Sequence, residues 1–142
     1  MRLALDHARL CLKEDEVPVG ALIVKDGEIV SFGRNRREGG KNALYHAEIE
    51  AIDKACRALG GWRLWQCEMF VTLEPCPMCS GAIINSRIKR LVFGAYDLKS
   101  GCAGSVTNLF ALPFNSRPQV TGGCMQAECA ELMSEFFKAL RK

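Results

Sequence analysis

The chain has 142 residues and a net charge of only +3, the size of one compact domain and a charge that permits a nucleic-acid partner without arguing for one. No apolar run approaches the roughly 20 residues that a membrane helix needs. The N-terminal stretch MRLALDHARLCLKEDE spreads its charges along a helical pattern and lacks the basic, apolar and cleavage regions of a secretory signal, so a single cytoplasmic domain over 1–142 is expected.

Residues 1 to about 15 place Leu3, Leu5, Ala8, Leu10 and Leu12 near helical spacing, which predicts a first helix. VPVGALIVKDGEIVSFGRN then reads as two strands joined at Lys25-Asp26-Gly27-Glu28, since Asp-Gly is a strong hairpin signal. REGGKN is a loop. From His46, HAEIEAIDKACRAL sets Ile49, Ile52, Ala55, Cys56 and Leu59 on one helical face, and Gly60-Gly61 ends the helix. CEMFVTL is a short buried strand. Pro75 to about Ser86 is a helix with Pro77 in its first turn, and RLVFGA is another strand. The chain after Gly94 is irregular until a final amphipathic helix from about Gln126, carrying Leu132, Met133, Phe136 and Phe137. Alternating strands and helices predict a layered α/β fold, and the opening hairpin makes its sheet mixed.

Eight cysteines raise the question of a disulfide framework. A chain with this much core does not need one, and Cys11, Cys56, Cys67, Cys102, Cys124 and Cys129 lie scattered among apolar residues, as small reduced hydrophobes do. Cys76 and Cys79 differ. At i and i+3 they share a helix face. At a helix start, the free N–H groups and the dipole favour thiolates. Redox dithiols and structural zinc knuckles use the same spacing. A closed four-ligand site is hard to assemble here, because the chain has only two histidines and no second C-x-x-C. His7 sits on a helix of mixed character. His46 opens a helix directly after a loop, with Glu48 two residues on. Zinc at a catalytic site takes three protein ligands and keeps one position open for water. His46, Cys76 and Cys79 are the candidates for those three, beside the redox-dithiol reading of the cysteine pair. Glu48 is then a candidate proton carrier, the alternative being an acid that merely stabilises a helix N-terminus. The basic clusters Arg34-Arg36-Arg37, Arg87-Lys89-Arg90 and Lys138-Arg141-Lys142 are each explicable as solvated faces.

His46-Ala47-Glu48 upstream of Glu74-Pro75-Cys76-Pro77-Met78-Cys79 matches the H-x-E and P-C-x-x-C signature of zinc-dependent nucleobase deaminases. With E-V-P-V-G-A at 16–21, G-A-I-I-N-S-R-I at 81–88, V-F-G-A at 92–95, A-G-S at 103–105 and the acidic, Phe-Phe, basic tail at 135–142, nearly the whole chain resembles the bacterial tRNA-specific adenosine deaminases of the cytidine deaminase-like superfamily. The resemblance implies a three-layer α/β/α sandwich, one zinc ion per chain, a homodimer, and conversion of the wobble adenosine in a tRNA anticodon stem-loop to inosine. It implies that Asn35 contacts the flipped base, that the backbone of Ala47 orients it, that Val19 lines the pocket, and that Phe137 and Arg141 meet the anticodon loop. Aromatic surfaces and cations suit single-stranded RNA.

Three departures stand out. Where the family has Asp-Pro-Thr-Ala or similar before the histidine, this chain has Asn42-Ala43-Leu44-Tyr45. Bulky Tyr45 either reshapes the pocket mouth or packs. Ser116 replaces a histidine usual after the residue at Asn115, and the N-terminus starts a few residues late. The rival readings are a deaminase of free guanine or cytosine, a zinc-stabilised RNA-binding module without activity, and a C-x-x-C oxidoreductase. The aromatic, basic tail and the intact Glu48 weigh against the first two, and the third predicts a purified protein that holds no zinc.

Overall fold

A computed structural model describes residues 1–141. Five strands form one sheet in the order β2-β1-β3-β4-β5, where β1 is Gly20–Lys25, β2 Glu28–Arg34, β3 Cys67–Leu73, β4 Arg90–Ala95 and β5 Gln119–Thr121. The hairpin β1/β2 and the pair β1/β3 are antiparallel, and β3/β4 and β4/β5 are parallel, so the sheet is mixed as the sequence predicts. Asp26 and Gly27 both take positive φ, 51° and 78°, with Lys25 paired to Glu28. Positive φ at both central residues is what a two-residue type I′ hairpin demands of an Asp-Gly pair.

Helices cover both faces, giving three α/β/α layers. On one face α2 (Ala47–Leu59) and α3 (Pro77–Asn85) enclose a core of Ala21, Ile23, Met69, Val71, Leu91 and Phe93 from the sheet with Ala51, Ala55 and Ile83 from the helices. On the other, α1 (Arg2–Arg9) and α4 (Gln126–Leu140) bury Leu5, Ala8, Cys129 and Leu132. Helix-to-sheet contact is close because small residues face each other. A methyl on Gly33 would collide with the α2 backbone at Ala47 and Ala51, and one on Gly20 with the α1 backbone at Ala4 and Ala8. These collisions explain two shifts from the predicted faces. The buried stripe of α2 is Ala47, Ala51 and Ala55, with Ile49, Ile52 and Cys56 half-buried at its flank and Leu59 exposed. In the first helix Ala4, Leu5 and Ala8 are buried while Leu3, Leu10 and Leu12 stay exposed, and the helix tightens to a 3-10 turn over Leu10–Glu14. The three-residue strand β5 was not predicted. It is too short for its alternation to stand out from the surrounding irregular chain.

Candidate active site

Two helix N-termini converge beyond the C-terminal end of β3. After Leu73 the chain needs only Glu74 and Pro75 before Cys76, the N-cap of α3, and Pro77 fills the first helical position, where its missing N–H costs nothing. His46 is the N-cap of α2 in extended conformation. The ends meet at His46 Nδ1, which lies 3.6 Å from Cys76 Sγ and 3.5 Å from Cys79 Sγ. The three ligand atoms all fall within 4.8 Å of one another, and no other such group exists among the described residues. Two sulfurs and one imidazole nitrogen are a donor set suited to zinc, with one coordination position left over.

Glu48 stands in the first turn of α2 and is only 4% exposed, with no cation bonded to it among the described residues. Burial pushes its carboxyl up to about 7; the thiolate of Cys76 adds to the rise, while its own backbone N–H and the His46 ring oppose it. A carboxyl near neutrality is suited to accepting and returning a proton. The two thiols are driven apart. Cys76, bonded first by Cys79 and then by His46, is held down at about 4, and Cys79 is raised by the same bond and by its burial. The hydrogen bond to Cys76 raises His46.

Val19, Ala47 and Asn35 are all buried, and Ala47 directly follows His46 in the chain. The Asn35 N–H bonds the Val19 carbonyl at 3.2 Å, so these two expected pocket residues are neighbours across the start of the hairpin. The Asn35 amide is steadied by the Val17 carbonyl at 3.3 Å and by the Arg37 N–H at 3.2 Å, and among the described residues one of its N–H bonds and one acceptor site have no partner. Phe137 and Arg141 lie on the last turn and C-cap of α4, both exposed, and no hydrogen bond or ion pair among the described residues joins them to the ligand group. Phe136 is half-buried and meets Phe137 edge-on at 5.3 Å. His7 stacks on Phe32 at 4.9 Å, away from the ligands. All eight cysteines are free thiols.

Two buried carboxylates were missed in the sequence. Glu74 follows the apolar strand V-T-L and precedes a proline, and acid in that context was the available signal; Glu16, after Lys13-Glu14-Asp15, carried none. Glu16, 1% exposed, accepts the N–H groups of Glu38 and Gly39 at 3.0 and 2.6 Å. Glu74, also 1% exposed, accepts those of Asp97, Ala103 and Ser105 and the Ser105 hydroxyl. Burial opposes ionisation of Glu74, yet these four bonds outweigh it and hold the carboxyl below the usual range. Its stabilising contribution is therefore complete at neutral pH and lost as pH falls through that lowered value. Glu74→Ala leaves three half-buried N–H groups without their acceptor and is expected to cost about 2 kcal/mol in urea unfolding. A loss under 1 kcal/mol would show that the 97–105 loop holds itself.

The profile of the MafB19-like deaminase family matches residues 1–141. A tRNA-specific adenosine deaminase of Bacillus subtilis is 45% identical over 143 aligned residues, covering 100% of this chain and 89% of the relative. The chain belongs to the tRNA-specific adenosine deaminase family. Its counterpart in Aquifex aeolicus is 46% identical over 99% of this chain and 93% of its own. Among solved structures, one from work on A-to-I editing by tRNA:A34 deaminases matches with a TM-score of 0.90 at 43% identity, covering 93% of this chain and 96% of that one. A guanine deaminase from Nitrosomonas europaea matches less well, at 0.81 and 26%, over 95% and 81%. The family assignment and the cytidine deaminase-like fold are thus borne out, and the protein is a hydrolytic deaminase. Among the described residues no helix is long and apolar enough to cross a membrane.

Proposed function

We propose that this deaminase converts the wobble adenosine of a tRNA anticodon stem-loop to inosine, using one zinc ion held by His46, Cys76 and Cys79. The observation that carries the reading is the convergence of those three ligand atoms beside buried Glu48, in a chain aligned end to end with tRNA-specific adenosine deaminases. Zinc, when bound, supplies the Lewis acidity that makes water a nucleophile near neutral pH. Glu48 accepts the proton that water gives up, hands it to the ring nitrogen of the base, and passes another to the departing amine. Water and adenosine leave as inosine and ammonia. The free side of the Asn35 amide reads the base edge, the Ala47 backbone orients the base, and Val19 walls the pocket. Phe137 offers a stacking face and Arg141 a phosphate contact. A second RNA-suited surface lies at the other end of α2 and α3. There Trp62, half-exposed, carries Arg63 4.2 Å and Arg87 5.6 Å from its ring centroid, and neither arginine is in an ion pair among the described residues.

A homodimer fits one further feature. Met78, Gly81, Ala82 and Asn85 form an i, i+3, i+4, i+7 stripe on α3 that this chain leaves partly or fully exposed. Gly81 weakens the helix, and nothing in the chain lies where its Cβ would go, so the missing side chain suits a second copy rather than this one. Gly81→Glu is expected to shift the protein from dimer to monomer in light scattering without lowering the thermal midpoint of the separated chain; a dimer that persists places the interface elsewhere. Free thiols throughout suit a reducing, cytoplasmic setting.

The deciding experiment incubates the zinc-loaded protein with an anticodon stem-loop bearing adenosine at the wobble position, and separately with free guanine and cytosine. Inosine in the RNA is expected. Turnover of a free base alone would overturn the tRNA reading, and no turnover of any of them would leave only the zinc-stabilised binding module.

A further inference from the structure

Tyr45 precedes a metal ligand, and no step of the reaction above uses it. Its carbonyl accepts the Arg36 N–H at 3.0 Å. The His46 N–H folds back onto the Leu44 carbonyl at 2.8 Å, which makes Tyr45 the centre of a γ-turn. Arg36 follows Asn35 in the chain, and Tyr45 precedes His46. One backbone hydrogen bond therefore joins the neighbours of the base-reading amide and of the metal-ligating imidazole, and residues 37–44 form the loop that it closes.

That loop is gripped from two sides by its adjacent glycines. The Glu16 carboxylate reaches the Gly39 N–H at 2.6 Å, while the Tyr45 ring lies against Gly40, where a methyl would collide with its Cδ2 and Cε2. Within the loop Gly40 N–H bonds Arg36 O at 2.8 Å, Asn42 N–H bonds Arg37 O at 3.2 Å, and Tyr45 N–H bonds Asn42 O at 3.2 Å. The phenol hydroxyl makes no hydrogen bond among the described residues, so the ring acts through its shape. An alanine at Tyr45 would leave the backbone bonds possible but unbraced.

We propose that Tyr45 is a positioning residue: its ring, seated on Gly40, keeps the Arg36–Tyr45 hydrogen bond closed and so fixes Asn35 relative to His46. The proposal rests on Asn35 facing the base, as stated above. Two variants attack the clasp from opposite sides. Tyr45→Ala removes the ring, and Gly40→Ala, at a residue without positive φ, pushes the ring away and also presses on the Arg36 carbonyl, 3.0 Å from the added methyl. Both are expected to lower kcat on the stem-loop by about tenfold or more, because small displacements of a positioned group are costly. KM should stay within about twofold and metal content at one per chain, the pattern of an interaction felt only in the transition state. Tyr45→Phe is expected to behave as the parent. Amide exchange supplies a readout independent of turnover: the Arg36 and His46 N–H groups should exchange faster in Tyr45→Ala and Gly40→Ala.

A rise in KM with kcat unchanged would mean that the ring touches RNA, and would overturn the proposal. So would unchanged exchange at Arg36 and His46 in both variants. If the parent protein does not deaminate the stem-loop, the tRNA reading fails on that control alone, and the exchange measurement still decides the clasp.

Discussion

Glu48→Gln is expected to reduce deamination of the stem-loop by about a hundred- to ten-thousand-fold while leaving one metal ion per chain and the thermal midpoint nearly unchanged. The amide has the size of the acid and no charge. A carboxyl raised to about 7 by burial is already partly neutral at working pH, so the exchange adds little strain to the first turn of α2. What disappears is the group that takes a proton from one atom and returns it to another. The pH profile adds a signed check. Glu48 must be ionised to accept a proton, so the parent rate climbs as pH rises toward about 7, and a bound dication moves that limb lower. In Glu48→Gln the residual rate should lose this limb. A variant within threefold of the parent rate, or one keeping the same acid limb, would give the proton work to another group.

Much of this site was legible in the sequence because its chemistry comes from residue types at short spacing. Cys76 and Cys79 share a turn, and Pro77 marks where that turn begins. His46 and Glu48 bracket the start of the next apolar helix. Such local signals survive into the structure, since a helix N-terminus fixes its first residues wherever the helix docks. The Asp26-Gly27 turn was legible for the same reason. What stayed hidden depends on long-range contact. Ala47, Ala51 and Ala55 form the buried stripe of α2 only because β2 offers Gly33 opposite them, and hydrophobicity alone ranks Ile49 and Leu59 above them. Glu16 and Glu74 look like ordinary acids until the loops that donate to them, 22 to 31 residues later, are in place. Tyr45 could be flagged in the sequence but not resolved between mouth and packing, because its seat is a glycine whose nearness only the folded loop creates.

Cys79→Ala is expected to abolish metal retention and, with it, detectable deamination. Cys79 is fully buried in the first turn of α3, and its Sγ lies 3.5 Å from His46 Nδ1, so two ligands on separate elements remain once it is gone. Its thiol is raised and so protonated at neutral pH in the metal-free protein, whereas Cys76 at about 4 is already a thiolate. Metal uptake by the parent must therefore expel the Cys79 proton, and affinity must increase with pH. Titration calorimetry in buffers of different ionisation enthalpy should show proton release in the parent, and zinc in excess should raise its unfolding free energy by about 4 kcal/mol at a thousandfold over Kd. Both signals should vanish in Cys79→Ala. They should persist in Cys102→Ala, which removes another buried thiol from outside the ligand group and so separates the cost of a core cavity from the loss of a ligand. One metal ion per chain surviving in Cys79→Ala would move the centre to other side chains and take the role of Glu48 with it.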